Sequence, residues 1–330
     1  MNIDHPNVNY GKTGILLVNL GTPNSTSWFD IRKYLKEFLS DRRVIEVNPF
    51  LWKIILNLFI LNFRPSKTAE AYKKIWMKNE NMSPLRYYTQ MQTKKLYEKI
   101  KDKKIIIDYA MRYGDPSINS KMRNLQSEGC ENIVILPLYP QYAAATTATV
   151  CDEVYRSLMK MRWQPSLQII PHYESEPQYI EALINSIEKK IKEISWKPDL
   201  IISSYHGIPK SYFDKGDPYH CYCHKTTRLI KERFSKVEIQ LTFQSRFGPQ
   251  EWLTPYTDKT LESLPSKGIK NLLVICPGFA SDCVETLEEI NIQGRESFLK
   301  NGGVNFDLIP CLNDNSDHID LFEKLVSKYL

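Results

Sequence analysis

The sequence predicts an α/β fold of two tandem domains whose parallel sheets open onto a shared cleft. Three observations carry this. Short apolar runs, each ending in turn residues, alternate with amphipathic helical segments, the pattern of parallel strands joined by right-handed crossovers. The order of these blocks repeats in the second half of the chain. The length, 330 residues, suits about two domains of ordinary size.

In the first half the strands fall in "GILLVNLGTP" (14–23), "KIIIDYAMRYGDP" (104–116), "NIVILPLYPQY" (132–142) and "LQIIPHY" (167–173). Between them, Trp28, Ile31, Leu35, Phe38 and Leu39 are spaced for one face of a helix entered from Ser25-Thr26-Ser27. Further helices are expected over "SKTAEAYKKIWM" and from Thr146 to about Met161. In the second half "DLIISSYHGIP" (199–209), "EIQLTFQSRFGPQEW" (238–252), "NLLVICPGFASDCVETL" (271–287) and "VNFDLIPCLNDN" (304–315) match the four strand blocks in order. Both halves close on an "IP" strand followed by an amphipathic helix. The division expected is 1–175 and 176–330, with the terminal helix crossing back to the first domain.

Composition narrows the function. With 42% hydrophobic and 25% charged residues the chain is globular. A net charge of +6 with only short basic clusters such as Lys101–Lys104 speaks against nucleic acid and fits an acidic small molecule or anionic lipid better. Residues 1–10 show no basic segment followed by an apolar core, so no signal peptide is expected and the cytoplasm is the default. In that compartment the seven cysteines read as thiols or metal ligands rather than disulfides. The longest apolar stretch, Pro49–Phe63, is interrupted by Lys53, Asn57 and Asn62 and is too short to span a bilayer.

Ligands of open α/β sheets bind beyond the carboxyl ends of the strands. The first half supplies Asn19, Leu20, Arg112, Tyr113, Tyr139 and Tyr142 there; the second supplies His206, Gln244, Arg246, Trp252, Asp282 and Glu285. Such an aromatic, apolar wall with few convergent polar groups suits a flat, hydrophobic, partly anionic ligand. No G-x-G-x-x-G or Walker loop follows any strand, which argues against a nucleotide cofactor. His206 is placed to exchange a proton near neutral pH. Glu285 and Glu289 stand at i and i+4 on one helical face, able to pass protons or hold a cation. Asp282 and Glu285 also have the spacing of a helix cap.

The motifs "GILLVNLGTP", "FLSDRRV", "SPLRYYTQMQ", "PLYPQY", "SYHGIP", "GDPY", "TFQSRFGPQEWL.PYTD" and "PGFASDCVETLEEI", in this order, resemble the ferrochelatase family over roughly residues 13 to 328. The resemblance implies two Rossmann-like, chelatase-type domains around a porphyrin cleft. It also implies an enzyme, a lyase that inserts Fe²⁺ into protoporphyrin IX with release of two protons, the last step of haem biosynthesis. His206 and Glu285 fall where the family faces two catalytic groups across the porphyrin centre, with Glu289 joining them on metal or proton traffic. Leu20, Arg112, Tyr113, Tyr139 and Trp252 fall on the macrocycle, with Asp282 beside them on the wall, and Arg64 falls where a basic residue meets a propionate. Residues 50–63 correspond to a lip over the cleft that touches the membrane, through Leu51, Trp52, Ile55, Leu58 and Phe59. That gives a cytoplasmic protein peripheral to the inner face of the cell membrane. Two departures stand out: Cys283 replaces a frequent histidine, and Gln293 replaces a third carboxylate. Some bacterial relatives carry a [2Fe-2S] cluster, for which Cys221 and Cys223, in what reads as a loop, and Cys151 are the candidate ligands. Two alternatives use the same cleft: a chelatase for another tetrapyrrole of the sirohydrochlorin type, and a non-catalytic porphyrin or haem carrier.

Overall fold

The computed structural model describes residues 11–330; the signal-peptide reading of residues 1–10 lies outside them. Two four-stranded, wholly parallel sheets form the frame. The first holds β1 (Lys12–Gly21), β2 (Ile105–Tyr113), β3 (Cys130–Pro137) and β4 (Ser166–Ile169) in the order β2-β1-β3-β4. The second holds β5 (Leu200–His206), β6 (Ile239–Gln244), β7 (Asn271–Ile275) and β8 (Asn305–Leu308) in the order β6-β5-β7-β8. The tandem repeat is thus a repeat of topology. The central strands read as near-continuous apolar runs because both faces are covered: Ile15, Leu16, Leu17 and Val18 on β1 and Ile201 and Ile202 on β5 are fully buried.

One core joins the halves. Ile15 and Leu17 of β1 and Val134 and Leu136 of β3 belong to the same buried cluster as Ile201 of β5 and Leu273 and Ile275 of β7. Residues of helices Pro177–Glu193 and Ser316–Ser327 complete it. The terminal helix also packs on helix Pro84–Ile100 of the first half, where Lys99 pairs with Asp320 at 2.6 Å.

Two glycines show how the repeat closes at its carboxyl edge. Gly21, at φ +114°, lies so near β2 that a Cβ would stand 1.8 Å from the Tyr113 carbonyl oxygen. Gly207, the matching residue after β5, would put a Cβ 2.9 Å from the Gln244 carbonyl oxygen. The glycines of "NLGTP" and "YHGIP" therefore permit the same close approach in each half.

The helix at Trp28–Leu39 forms as expected, with Ser27 accepting a hydrogen bond from the Asp30 N–H as its cap. The apolar stretch and the helix expected after it are one run: helix Pro49–Ile55, a π-helical turn at Leu56–Ile60, and helix Leu61–Ile75. Asn48 caps its start. Pro65 sits inside the second helix and cannot bond the Leu61 carbonyl four residues back. Arg32 Nε donates to that carbonyl instead, at 3.2 Å. Among the described residues no helix is long and apolar enough to cross a membrane.

Candidate active site

β5 ends on His206 because the apolar run stops there and Gly207 turns the chain. The ring Nδ1 lies 2.6 Å from the Gly207 carbonyl oxygen. A carbonyl can only accept, so Nδ1 carries the proton and the neutral ring leaves the Nε2 lone pair free. The backbone thereby selects the tautomer that can take a proton or bind a cation.

Glu285 opens another π-helical stretch, Glu285–Gly294, rather than the α-helix its spacing suggests. π-Helical turns are rare and tend to occur at functional sites. Gln244 Nε2, from the end of β6, donates to the Glu285 carbonyl at 2.9 Å and fixes the start of this helix. One turn on, the Glu289 carboxylate accepts the Ser245 backbone N–H at 2.8 Å and also the Ser245 hydroxyl. Ser245 makes these bonds from a left-handed backbone, φ 66°, a conformation that a non-glycine residue holds only when its surroundings demand it. Burial pushes the Glu289 carboxyl up, the Ser245 hydroxyl and the His206 ring pull it down, and Glu285 pushes it up. Glu289 therefore feels both other groups, and the three share one electrostatic neighbourhood.

Leu20 and Gly21 from the first half line a narrow cavity together with Cys283, Val284 and Glu285 from the second. Tyr34 and Tyr72 lie in the same cavity; burial, and then charge including that of Glu285, pushes both phenols up. Neither tyrosine was singled out from the sequence, since each reads there as an ordinary core position of its helix. Tyr139 is buried, its hydroxyl has no partner among the described residues, and Glu285 is among the groups that push it up. Trp252 packs beside Gly207, and its Nε1 donates to the Phe247 carbonyl at 2.9 Å. Arg64 stacks on the Phe247 ring at 4.3 Å, linking the apolar helix to the loop after β6. Burial lowers its pKa, and no carboxylate pairs with it among the described residues. A partly desolvated, unpaired guanidinium is suited to an incoming carboxylate.

Other expected wall residues are held inside the fold. Arg112 forms a buried ion pair with Asp41, donates to the Thr149 carbonyl at 2.8 Å, and lies over the Tyr113 ring. Tyr113 is fully buried and donates to the same Asp41 at 3.0 Å. Asp41, inside the "FLSDRRV" motif, is the residue that sequence reasoning passed over. Asp282 is buried as well. Its oxygens accept from Thr286 at 2.9 Å, Asn313 at 2.7 Å and the Cys311 N–H at 3.3 Å. It ties the loop between β7 and the π-helix to the loop after β8 instead of facing the cleft. Gln293, in place of a third carboxylate of the acidic row, donates to Glu288 at 2.7 Å, and Lys74 pairs with the same carboxylate at 2.8 Å. Glu288 thus clamps the helix Leu61–Ile75 onto the π-helix, a contact visible only in three dimensions.

The cysteine candidates are not brought together. Cys221 and Cys223 lie in the helix Tyr219–Arg233, not in a loop, and residues two apart on a helix point to different sides. Cys221 is exposed, whereas Cys223 is buried in an apolar cluster with Tyr205, Tyr219 and Phe243. Among the described residues no group of three or more His, Cys, Asp or Glu side chains is arranged to hold a metal ion.

Two parallel sheets in the same strand order, with ligand-facing groups gathered where their carboxyl ends meet, define a protein of the two-domain chelatase class. Solved structures agree on this fold. The chain resembles SirB from Bacillus subtilis, described with Fe³⁺, with a TM-score of 0.58 at 12% identity, covering 96% of this chain and 95% of that one. It also resembles CbiX, described as the terminal enzyme for siroheme biosynthesis in denitrifying bacteria, with a TM-score of 0.52 at 11% identity, covering 96% and 99%. The ferrochelatase family matches residues 12–330. Proteins named ferrochelatase from Allorhizobium ampelinum (54% identical, 99% of this chain and 96% of that protein) and from Francisella tularensis subsp. novicida (51%, 97% and 96%) are full-length relatives. The chain belongs to the ferrochelatase family, and insertion of Fe²⁺ into protoporphyrin, the haem-forming step, is the reaction that membership assigns to it. The carrier and sirohydrochlorin alternatives give way to it.

Proposed function

We propose that the chain performs this insertion with His206 as the acceptor of the pyrrole protons and with Glu285 and Glu289 handling the entering Fe²⁺ and the departing protons. The observation that carries the reading is the His206 Nδ1 contact to the Gly207 carbonyl, which leaves Nε2 as the free base. Inserting Fe²⁺ removes two N–H protons and strips water from the ion. A planar macrocycle shields its nitrogen lone pairs, so the cleft serves the reaction by binding a bent ring best. Leu20, Tyr139 and Trp252 form the ring-facing wall, Arg64 receives a propionate, and Arg112 with Tyr113 stiffens the wall through Asp41. Asp282 supports the loop that presents Glu285.

The same reading takes residues 1–175 and 176–330 as the two domains and the run from Phe50 to Phe63 as the lip of the cleft. Phe50, Leu51, Leu58, Phe59 and Phe63 are more than half exposed, an apolar face of the kind that seats in a lipid interface. Trp52 is turned inward instead, with Nε1 donating to the Leu39 carbonyl at 2.7 Å. The protein then works in the cytoplasm, peripheral to the inner face of the cell membrane. No [2Fe-2S] cluster on Cys151, Cys221 and Cys223 enters this reading, because the two helix cysteines face apart. The test is an anaerobic assay with protoporphyrin IX and Fe²⁺: a haem absorption spectrum that develops with turnover is expected, and porphyrin bound without metallation would overturn the proposal.

A further inference from the structure

Outside the cleft, the helix Tyr219–Arg233 carries His220 and His224 at i and i+4. Their rings approach to 4.3 Å between centroids, tilted by 43°. His220 is braced by Phe213 at 5.1 Å and stacked on Phe243 at 5.8 Å, and His224 lies 6.4 Å from Phe243. No hydrogen bond engages either ring among the described residues. Burial lowers both histidines below their usual value, which keeps the nitrogen lone pairs free at neutral pH.

The geometry points to a two-histidine chelate at which His220 and His224 hold one borderline divalent transition-metal ion, with water completing its coordination. The reasons are positional. Two histidines one helical turn apart on one face present their nitrogens to a common point, the arrangement by which helix-borne histidine pairs bind zinc. Imidazole suits Zn²⁺, Cu²⁺, Ni²⁺ and Fe²⁺, and a pair without thiolate or carboxylate support follows the ordinary affinity order, with Cu²⁺ tightest. The aromatic shelf already fixes His220, so little side-chain freedom remains to be lost on binding. The shelf residue Phe243 precedes Gln244, which pairs with His206 in the β5–β6 register. The chelate therefore stands beside the strand pair that carries the reaction centre, yet on its own helix.

The experiment uses the full chain and its His206→Ala form, so that metal at the reaction centre is told apart from metal here. Cu²⁺ alone is added at one equivalent and read by electron paramagnetic resonance; Zn²⁺ alone is titrated by calorimetry. A copper signal with two-nitrogen coupling is expected to persist in His206→Ala. It should be lost when His220→Ala or His224→Ala is added to that background, with Zn²⁺ affinity falling at least about tenfold in each. Circular dichroism confirms that each variant is folded. Survival of the signal in both variants, loss in only one of them, or loss in Cys221→Ser would each overturn the chelate.

Discussion

At the end of β1 the chain reads Leu20-Gly21, and at the end of β5 it reads His206-Gly207. The two glycines meet the neighbouring strand in the same way, against Tyr113 and Gln244, so the preceding residues occupy equivalent places in the two halves. Leu20 helps line the cavity, whereas His206 offers a free nitrogen. The same divergence follows the third strand of each half, where a π-helical turn forms both times. In the first half it is Ala144–Ala148, without a charge; in the second it is Glu285–Gly294, with three carboxylates. On the proposed reading, one topology used twice serves as a wall in the first half and as a reaction edge in the second. Polar groups at the strand ends of the first half are consumed internally, as in Arg112 with Asp41 and Asn19 with Thr89.

The largest effect should come from removing the group that the first half lacks. His206→Ala is expected to lower the rate of iron insertion by about 10²–10⁴-fold, the usual contribution of a positioned base. Porphyrin affinity should stay within about tenfold, because most of the binding surface is apolar. Fluorescence quenching of bound porphyrin separates the two quantities. Near-normal turnover would show that both halves act only as walls.

The acidic π-helix is the next place to press. Glu285→Gln should cost more activity than Glu289→Gln, since Glu285 lines the cavity shared with Leu20. Glu289 also makes a prediction about pH. Its folded-state pKa is raised by burial above the ordinary 4.5. A raised carboxyl stabilises the fold below the unfolded value, and that contribution is lost as pH rises through the folded value. Melting temperatures of Glu289→Gln relative to the parent should therefore improve as pH climbs from about 4.5 towards neutrality. An unchanged difference across that range would show that the carboxyl is not destabilised by its setting.

Much of this contrast was legible in the sequence. The repeated strand blocks, the histidine after an apolar run and the Glu285/Glu289 pair are local patterns, and local patterns survive into the fold. From sequence Arg112 and Tyr113 look like cleft residues, because their partner, Asp41, is about seventy positions away and marks no strand end. "GDPYHCYCH" lacks apolar periodicity and so looks like a loop in sequence; its helix is secured by burying Tyr219 and Cys223 among residues of other elements. Ser245 could not be found at all, since its role depends on a left-handed backbone.

Asp41 tests the wall itself. Asp41→Asn leaves the Arg112 guanidinium buried without its counter-charge, and breaking one side of such a pair costs roughly 3–5 kcal/mol. A lowered urea midpoint is expected, while turnover at low temperature should fall far less than in His206→Ala. A midpoint within error of the parent would mean that the pair contributes nothing to the wall.

The smallest effect on chemistry should come from the proposed lip, residues 50–63, which belongs to the first half by sequence and supplies none of the residues assigned to the reaction. Phe50, Phe59 and Phe63 are 77%, 59% and 76% exposed. Seating each in a lipid interface is worth on the order of 1.5–3 kcal/mol at full burial, less where burial is partial. The triple change to Ser should therefore lower liposome partitioning by well over about tenfold. It should raise the apparent KM for membrane-presented porphyrin and leave kcat intact, since no group that exchanges a proton is altered. Partitioning measured by flotation and kcat measured with detergent-dispersed porphyrin read the two effects separately. If partitioning is unchanged, the exposed face serves something other than lipid; if kcat falls with it, the lip takes part in shaping the reaction edge and the division between wall and edge is too simple.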